Sequence, residues 1–183
     1  VTYTDLLREV FRVQPDAAFG YSMGEVSMMY ALDAWGKTDA MSDTLRSTPV
    51  FTTRLAGPME TLREAWDLPT GTPDNSFWAG YTLRADAAQV QQAIGDNPFV
   101  RMILINTPNS VVIAGKPDAC EAIIGELGCE AAGAALGDVI HCDLVRPEYD
   151  GLANLHRMPV NTVTDVNFFT AVGYQPFQPT EDN

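Results

Sequence analysis

An α/β fold is predicted for this 183-residue chain: a parallel α/β layer into which a ferredoxin-like β-α-β-β-α-β lobe is inserted. Three observations predict it. A short run of small residues, Ala17-Ala18-Phe19-Gly20, has the texture of a buried strand and meets a tight turn. A helix apolar nearly all round, Glu25 to Leu32, follows it, and strand-turn-buried helix is half of a parallel layer. Beyond residue 76 the pattern changes to strand, helix, strand, strand, helix, strand, the order of a ferredoxin-like unit. The strand-like run Val139-Ile140 then resumes the larger layer. The spacing places a first part of the large subdomain in residues 1–76, the inserted lobe in 77–137, and the return to the large subdomain in 138–183.

Each element has its own signal. Tyr3 to Val13 reads as an amphipathic helix with Leu6, Leu7, Val10 and Phe11 on one stripe, ended by Gln14-Pro15-Asp16. Met41 to Trp66 carries two further helical patterns, broken near Thr48-Pro49. Pro69 to Asp74 is a loop, rich in Pro, Gly and Thr. In the lobe, Phe77–Leu83 and Val100–Ile105 read as strands around a helix over Ala85–Ile94. Thr107-Pro108-Asn109 turns the chain into a strand over Ser110–Ala114. Pro117 to Leu127 reads as a helix, with Pro in its first turn and Gly128 past its end. Glu130 to Leu136 is a weaker strand. Leu152 to His156 has a helical pattern, and the tail from Pro159 reads as extended, ending in polar Gln178 to Asn183.

Composition narrows the function. The apolar content of 46% and charged content of 19% are those of a globular protein, and no apolar run nears the roughly 20 residues that cross a bilayer. The net charge is −13 and the 11 Lys and Arg are scattered. A nucleic-acid groove or an anionic membrane needs clustered basic residues, so neither is an expected partner. An acidic substrate or partner needs a local basic patch, because the body as a whole repels it. The first residues lack the order of a signal peptide, and with no initiator Met the chain reads as cut from a longer one. Cys120, Cys129 and Cys142 are odd in number and form no CxxC, and neither His stands in zinc-ligand spacing with them. They read as reduced thiols of a cytoplasmic protein, and no metal site is expected.

Chemistry concentrates at Gly20-Tyr21-Ser22-Met23-Gly24, which matches the G-x-S-x-G nucleophile elbow. Small flanking residues let the turn close, the hydroxyl stands out from it, and the N-terminus of the next helix stabilises developing negative charge. The bland alternative is a strand-to-helix turn that takes Gly for packing. Serine needs a base, and His141 and His156 are the two histidines present. His141, after its apolar strand-like run, is the preferred base; His156 reads as a helix-end residue. Cys142 beside His141 is set aside, because neighbours on a strand point to opposite faces. Arg54, alone among apolar residues, is either a surface residue or an anion anchor, and spacing alone favours the surface.

Extended to Glu25, the elbow resembles that of the acyltransferase domains of fatty-acid and polyketide synthases, usually G-H-S-x-G-E. Three further segments fit in order. Arg54 with Gly57 and Met59 resembles the family's arginine segment. Asn106-Thr107-Pro108-Asn109-Ser110-Val111-Val112-Ile113-Ala114-Gly115 is similar to its N-S-P-x-Q-x-V-I-A-G run. His141 falls where its catalytic histidine stands. Tyr21 in place of the usual His, Ser27-Met28-Met29, Leu155 to Val160 and Phe168 to Pro176 more narrowly resemble the acyltransferase units of polyunsaturated-fatty-acid and heterocyst-glycolipid synthases.

The resemblance implies a hydrolase-like large subdomain, incomplete here. The family's N-terminal G-Q-G-x-Q strand and its C-terminal His-positioning segment lie outside this chain. It implies acyl transfer from malonyl-CoA or another acyl-CoA, through an acyl-Ser22, to the phosphopantetheine thiol of an acyl carrier protein, with no bound cofactor. His141 is then the base, the Met23 backbone N–H an oxyanion donor, and Arg54 the partner of the malonyl carboxylate. Tyr21 and Asn106 become substrate contacts, and bulky Ile140 favours malonyl over a branched methylmalonyl group. Two other classes stay open: a serine esterase or thioesterase of α/β-hydrolase type, and a non-catalytic docking fragment.

Overall fold

Residues 2–36, 40–73 and 76–180 are described by a computed structural model of the chain. Asp74 of the expected loop and the last three residues of the polar tail lie outside them. The chain divides into one compact unit of residues 1–43 with 153–183 and a second of residues 44–152. The expected limits at 76 and 137 both fall inside the second.

In the first unit, α1 (Thr2–Glu9) forms on the expected stripe but stops before Val10, and Arg12 at φ 56° is incompatible with continuing a right-handed helix. Its stripe stays exposed: Leu6, Leu7, Val10 and Phe11 all face outward. Arg8 ties it to the next helix, donating to the carbonyl of Ala31 and to Asp33. Strand β1 (Ala17–Phe19) leads through the elbow into α2 (Met23–Ala31). β1 pairs in parallel with β6 (Asn167–Phe169), Ala17 against Asn167 and Phe19 against Phe169, and β6 pairs antiparallel with β7 (Pro176–Phe177). The expectation of a buried β1 fails here, since Phe19 is 81% exposed. Within this unit the strand pairs along one edge, and Phe168 of β6 takes the fully buried place. The helix α2 is also less enclosed than its composition implied: Met28, Met29 and Ala31 are buried, whereas Met23 and Ser27 face out. The tail returns to the end of α2, where Asn161 donates its backbone N–H to Ala34 and its amide to Asp33.

The second unit is built on four strands in the order β3-β4-β2-β5, all antiparallel: β2 (Ala79–Arg84), β3 (Val100–Thr107), β4 (Ser110–Gly115) and β5 (Glu130–Ala134). Helix α5 (Ala87–Ile94) starts on an Asp86 carboxylate that accepts from the N–H groups of Ala88 and Gln89. Helix α6 (Pro117–Leu127) has Pro first and ends at Gly128, whose φ of 57° suits glycine. The run Val111-Val112-Ile113-Ala114 makes β4 a strand buried on both faces. By the two-residue period, Val111 and Ile113 join Leu83, Val90 and Ile123 on the α5/α6 side. Val112 and Ala114 join Met59, Leu62, Phe77, Trp78 and Val139 on the other. The second face couples the sheet to the segments that carry Arg54 and His141.

Between residues 40 and 66 the two expected helices are three pieces: α3 (Ala40–Ser47), a π-helical turn (Val50–Arg54) and α4 (Glu60–Ala65). After His141 a 3₁₀ helix (Asp143–Glu148), which accommodates Pro147, runs into α7 (Tyr149–His156).

Candidate active site

Ser22 lies between β1 and α2 with φ 54° and ψ −123°. Those are the angles of the first central residue of a type II′ turn, a place normally held by glycine. The turn is closed by the Gly24 N–H donating to the Tyr21 carbonyl at 2.8 Å. A side-chain-bearing residue in so sparse a region costs about 1–3 kcal/mol and persists only where its surroundings over-determine it. Gly20 is one such determinant: a Cβ there would lie 2.1 Å from the Glu25 nitrogen and 2.2 Å from the Gly24 carbonyl carbon. Glu25 is another. Its Oε1 accepts from the Ala171 N–H at 2.7 Å and the Thr170 hydroxyl at 3.1 Å, clamping α2 to the loop after β6. The Met23 N–H is the first of the helix, a position with no intrahelical acceptor. Tyr21 is half exposed; burial and then the neighbouring Tyr174 push its hydroxyl pKa up. His156 belongs to this unit too, exposed at the end of α7 with its ring 6.5 Å from that of Trp35.

The two glycines of the elbow are therefore unequal. Gly20→Ala forces backbone apart and is expected to destabilise the protein by about 2–3 kcal/mol, the cost of overpacking. A Cβ at Gly24 meets nothing within 4 Å. Gly24→Ala is expected to be neutral, or to stabilise by up to about 1 kcal/mol through helix propensity. Denaturant melts of the two variants check the contrast; equal losses would remove Gly20 as the determinant.

The second unit holds His141, Arg54 and Asn106. His141 is exposed, in a bend at φ 58°, not in a strand. The strand argument about Cys142 therefore lapses; what argues against that thiol instead is burial, which raises its pKa and keeps it protonated. Burial likewise pushes Cys120 up to about 12. The His141 bend is fixed at both ends. Before it, the Val139 N–H donates to the Leu55 carbonyl at 2.8 Å, and Ala56 bridges Asp138. The segment leading to His141 thus runs against the residues that follow Arg54. After it, the Asp143 carboxylate accepts from Arg101 Nε at 2.7 Å, and this hydrogen bond lowers the Asp143 pKa.

The Arg54 side chain is 23% exposed, and all three of its guanidinium nitrogens are engaged. Nε donates to Glu148 Oε1 at 2.8 Å, while the two terminal nitrogens donate to Glu64 Oε1 and Oε2 at 2.6 and 2.8 Å. The buried Thr61 hydroxyl donates to the same Glu148 oxygen at 2.8 Å. These hydrogen bonds, that to Glu64 foremost, raise the Arg54 pKa further and lower that of Glu64. Asn106 is exposed near the end of β3, at the register shift between Ile105 and Thr107. A bulge of this kind re-aims a side chain.

Sequence reasoning found these candidates but missed Glu64, Glu148, Thr61, Arg101 and Asp143. Glu25 was noticed only as part of a motif. A concavity lined by residues 160–164 and 178–180 contains none of the candidates. Among the described residues no cluster of His, Cys, Asp or Glu is fit to hold a metal ion, and no helix is long and apolar enough to cross a membrane.

No family model matches the chain. It is 38% identical over 184 residues, 98% of its length, to a subunit of the polyunsaturated fatty acid synthase of Thraustochytrium sp. (strain ATCC 26185 / S-3). A malonyl CoA-acyl carrier protein transacylase of Synechocystis sp. (strain ATCC 27184 / PCC 6803 / Kazusa) is 28% identical over 128 residues, 70% of this chain. The chain spans 9% of the synthase subunit and 36% of the transacylase. Among solved structures, the acyltransferase domain from module 8 of the salinomycin polyketide synthase matches with TM-score 0.68 at 20% identity, over 96% of this chain and 38% of that one. A malonyl-transacylase solved in complex with a type II polyketide synthase acyl-carrier protein also matches with TM-score 0.68 at 20% identity, over 96% and 54%. By sequence the chain is a homologue of a segment of a polyunsaturated fatty acid synthase, and its fold is similar to that of the malonyl and acyl transferases of polyketide synthases.

Proposed function

We propose that this chain is the central part of an acyltransferase that moves a malonyl or other acyl group from CoA to the phosphopantetheine thiol of an acyl carrier protein. The observation that carries the reading is the backbone of Ser22, a strained type II′ position between a parallel strand and a helix N-terminus. Strain of that kind concentrates at functional sites. His141 takes the Ser22 proton as Ser22 Oγ bonds to the thioester carbon. The Met23 N–H receives the oxyanion, the C–S bond breaks, and CoA leaves as the thiol with the proton from His141. The carrier thiol then gives its proton to His141 as its sulfur bonds to the acyl carbon; the Ser22 ester C–O bond breaks, and Ser22 Oγ takes that proton back from His141. Serine and histidine suffice for both steps, so no bound cofactor is invoked.

The remaining assignments follow the same reading. Arg54 holds the malonyl carboxylate through its bidentate edge, and Tyr21 and Asn106 contact the substrate. The antiparallel β3-β4-β2-β5 sheet with α5 and α6 supports a ferredoxin-like inserted subdomain, and the β1–β6 pair supports a hydrolase-like layer around it. Free cysteines, two of them held protonated by burial, suit the reducing cytoplasm.

The test incubates the full-length protein with radiolabelled malonyl-CoA, with and without phosphopantetheinylated carrier protein. Label should attach to the protein alone and move to the carrier when it is added. Release of free malonate at a rate indifferent to carrier would make the protein a hydrolase, and failure of any label to attach would make it non-catalytic.

A further inference from the structure

The guanidinium of Arg54 donates hydrogen bonds to two unlike partners. Glu148 takes the Nε side; its side chain is 13% exposed, and its Oε1 also accepts from buried Thr61. This carboxylate is held from two directions and fixes the orientation of Arg54. Glu64 takes the outer edge, the parallel pair of terminal nitrogens that a planar carboxylate fits best. Its side chain is 64% exposed, so water reaches the pair. Glu60 adds a third carboxylate 3.6 Å from the same guanidinium. The edge that Arg54 presents outward is thus filled by a carboxylate of the chain itself.

We infer that Glu64 is a specificity-determining residue: an internal, displaceable stand-in that a carboxylated acyl group must push off Arg54, while an uncharged acyl group has no such competition. The inference rests on the reading of Arg54 as the carboxylate anchor. When a site is competent only for the fraction of time that its occupant is away, the apparent affinity falls by that fraction. An exposed but bidentate pair, closed most of the time, imposes a penalty of about three- to tenfold on malonyl and none on acetyl. Glu148 is the opposite case, a positioning residue whose loss frees Arg54 without opening its outer edge.

Initial loading rates with malonyl-CoA and acetyl-CoA, measured on the full-length protein for the wild type, Glu64→Gln, Glu64→Ala, Arg54→Lys and the Arg54→Lys/Glu64→Gln double variant, decide it. The lysine keeps a charge beside Glu148 but loses the fork, so the fold is preserved. In both Glu64 variants the KM for malonyl-CoA should fall about three- to tenfold with kcat little changed, with no gain for acetyl-CoA. In the Arg54→Lys background the Glu64→Gln gain should vanish. An unchanged or higher malonyl KM in the Glu64 variants, with the malonyl-over-acetyl preference still collapsing in Arg54→Lys, overturns the stand-in and leaves the anchor. A preference that survives Arg54→Lys overturns the anchor and the stand-in with it. An equal gain for acetyl-CoA would mean that Glu64 merely obstructs the entrance, and also rejects the inference.

Discussion

Replacing Ser22 with alanine should abolish covalent acyl loading and leave the fold as stable as before. Ser22 makes no side-chain cap to α2, and alanine keeps the Cβ that already pays for φ 54°. The stability change should therefore stay small, about 0.5 kcal/mol, because the backbone geometry and the Cβ are both kept. Glycine makes the sharper variant. At a positive φ it relieves strain of about 1–3 kcal/mol, against a backbone-entropy cost of about 0.5–1 kcal/mol. Ser22→Gly should thus be inactive and more stable than wild type by about 1 kcal/mol, the trade expected where a nucleophile is held in tension. Intact-mass spectrometry after incubation with malonyl-CoA reads the loading, and denaturant melts read the stability. An adduct of undiminished yield in either variant would move the nucleophile elsewhere, and a destabilised Ser22→Gly would show that the backbone at Ser22 is not strained.

His141→Ala should slow both loading and transfer by about a hundredfold or more, the usual consequence of removing a general base. His156→Ala should change the same rates less than about threefold. The contrast rests on the proposed role of His141 as the base. His141 stands in a bend braced by Val139 on Leu55 and by Asp143 on Arg101. His156 ends α7, exposed beside Trp35. Single-turnover loading of the two variants, with folding checked by circular dichroism, makes the comparison. Equal losses, or the larger loss at His156, would falsify the assignment of the base.

Much of the larger unit was readable residue by residue. The apolar run Val111 to Ala114 read as a strand, and it forms one that is buried on both faces. Pro117 and Gly128 bracketed α6, and Thr107-Pro108-Asn109 foretold the hairpin between β3 and β4. Failures came where a local signal met a constraint from elsewhere. The segment after His141 carried no predicted helix before Leu152, yet it coils into a 3₁₀ helix around Pro147, with Asp143 and Glu148 at its ends anchored to Arg101 and Arg54. The stretch from Val50 to Arg54 gave no warning of a π-helical turn. Ala17 to Phe19 had the texture of a buried strand, but texture carries no count of the neighbours that cover it.

The same division runs through the candidate site. Gly20, Ser22 and Gly24 sit within five residues, and the energies that shape the elbow (a steric clash at Gly20, a turn hydrogen bond, the start of a helix) act over that distance, so the candidate nucleophile was legible from the chain alone. His141 was preferred to His156 for the strand-like run before it, and the structure sets it in a bend instead. The state of Arg54 was not legible. The carboxylates that Arg54 donates to come from positions 10 and 94 residues away along the chain, and a charged side chain reads the same in sequence whether it faces water or acids. Only the closing of the β3-β4-β2-β5 sheet against α4 and Val139 brings those groups together. An ion pair depends on distances of a few ångströms that no local periodicity encodes, so the tertiary structure alone decided that Arg54 already carries a carboxylate on its outer edge.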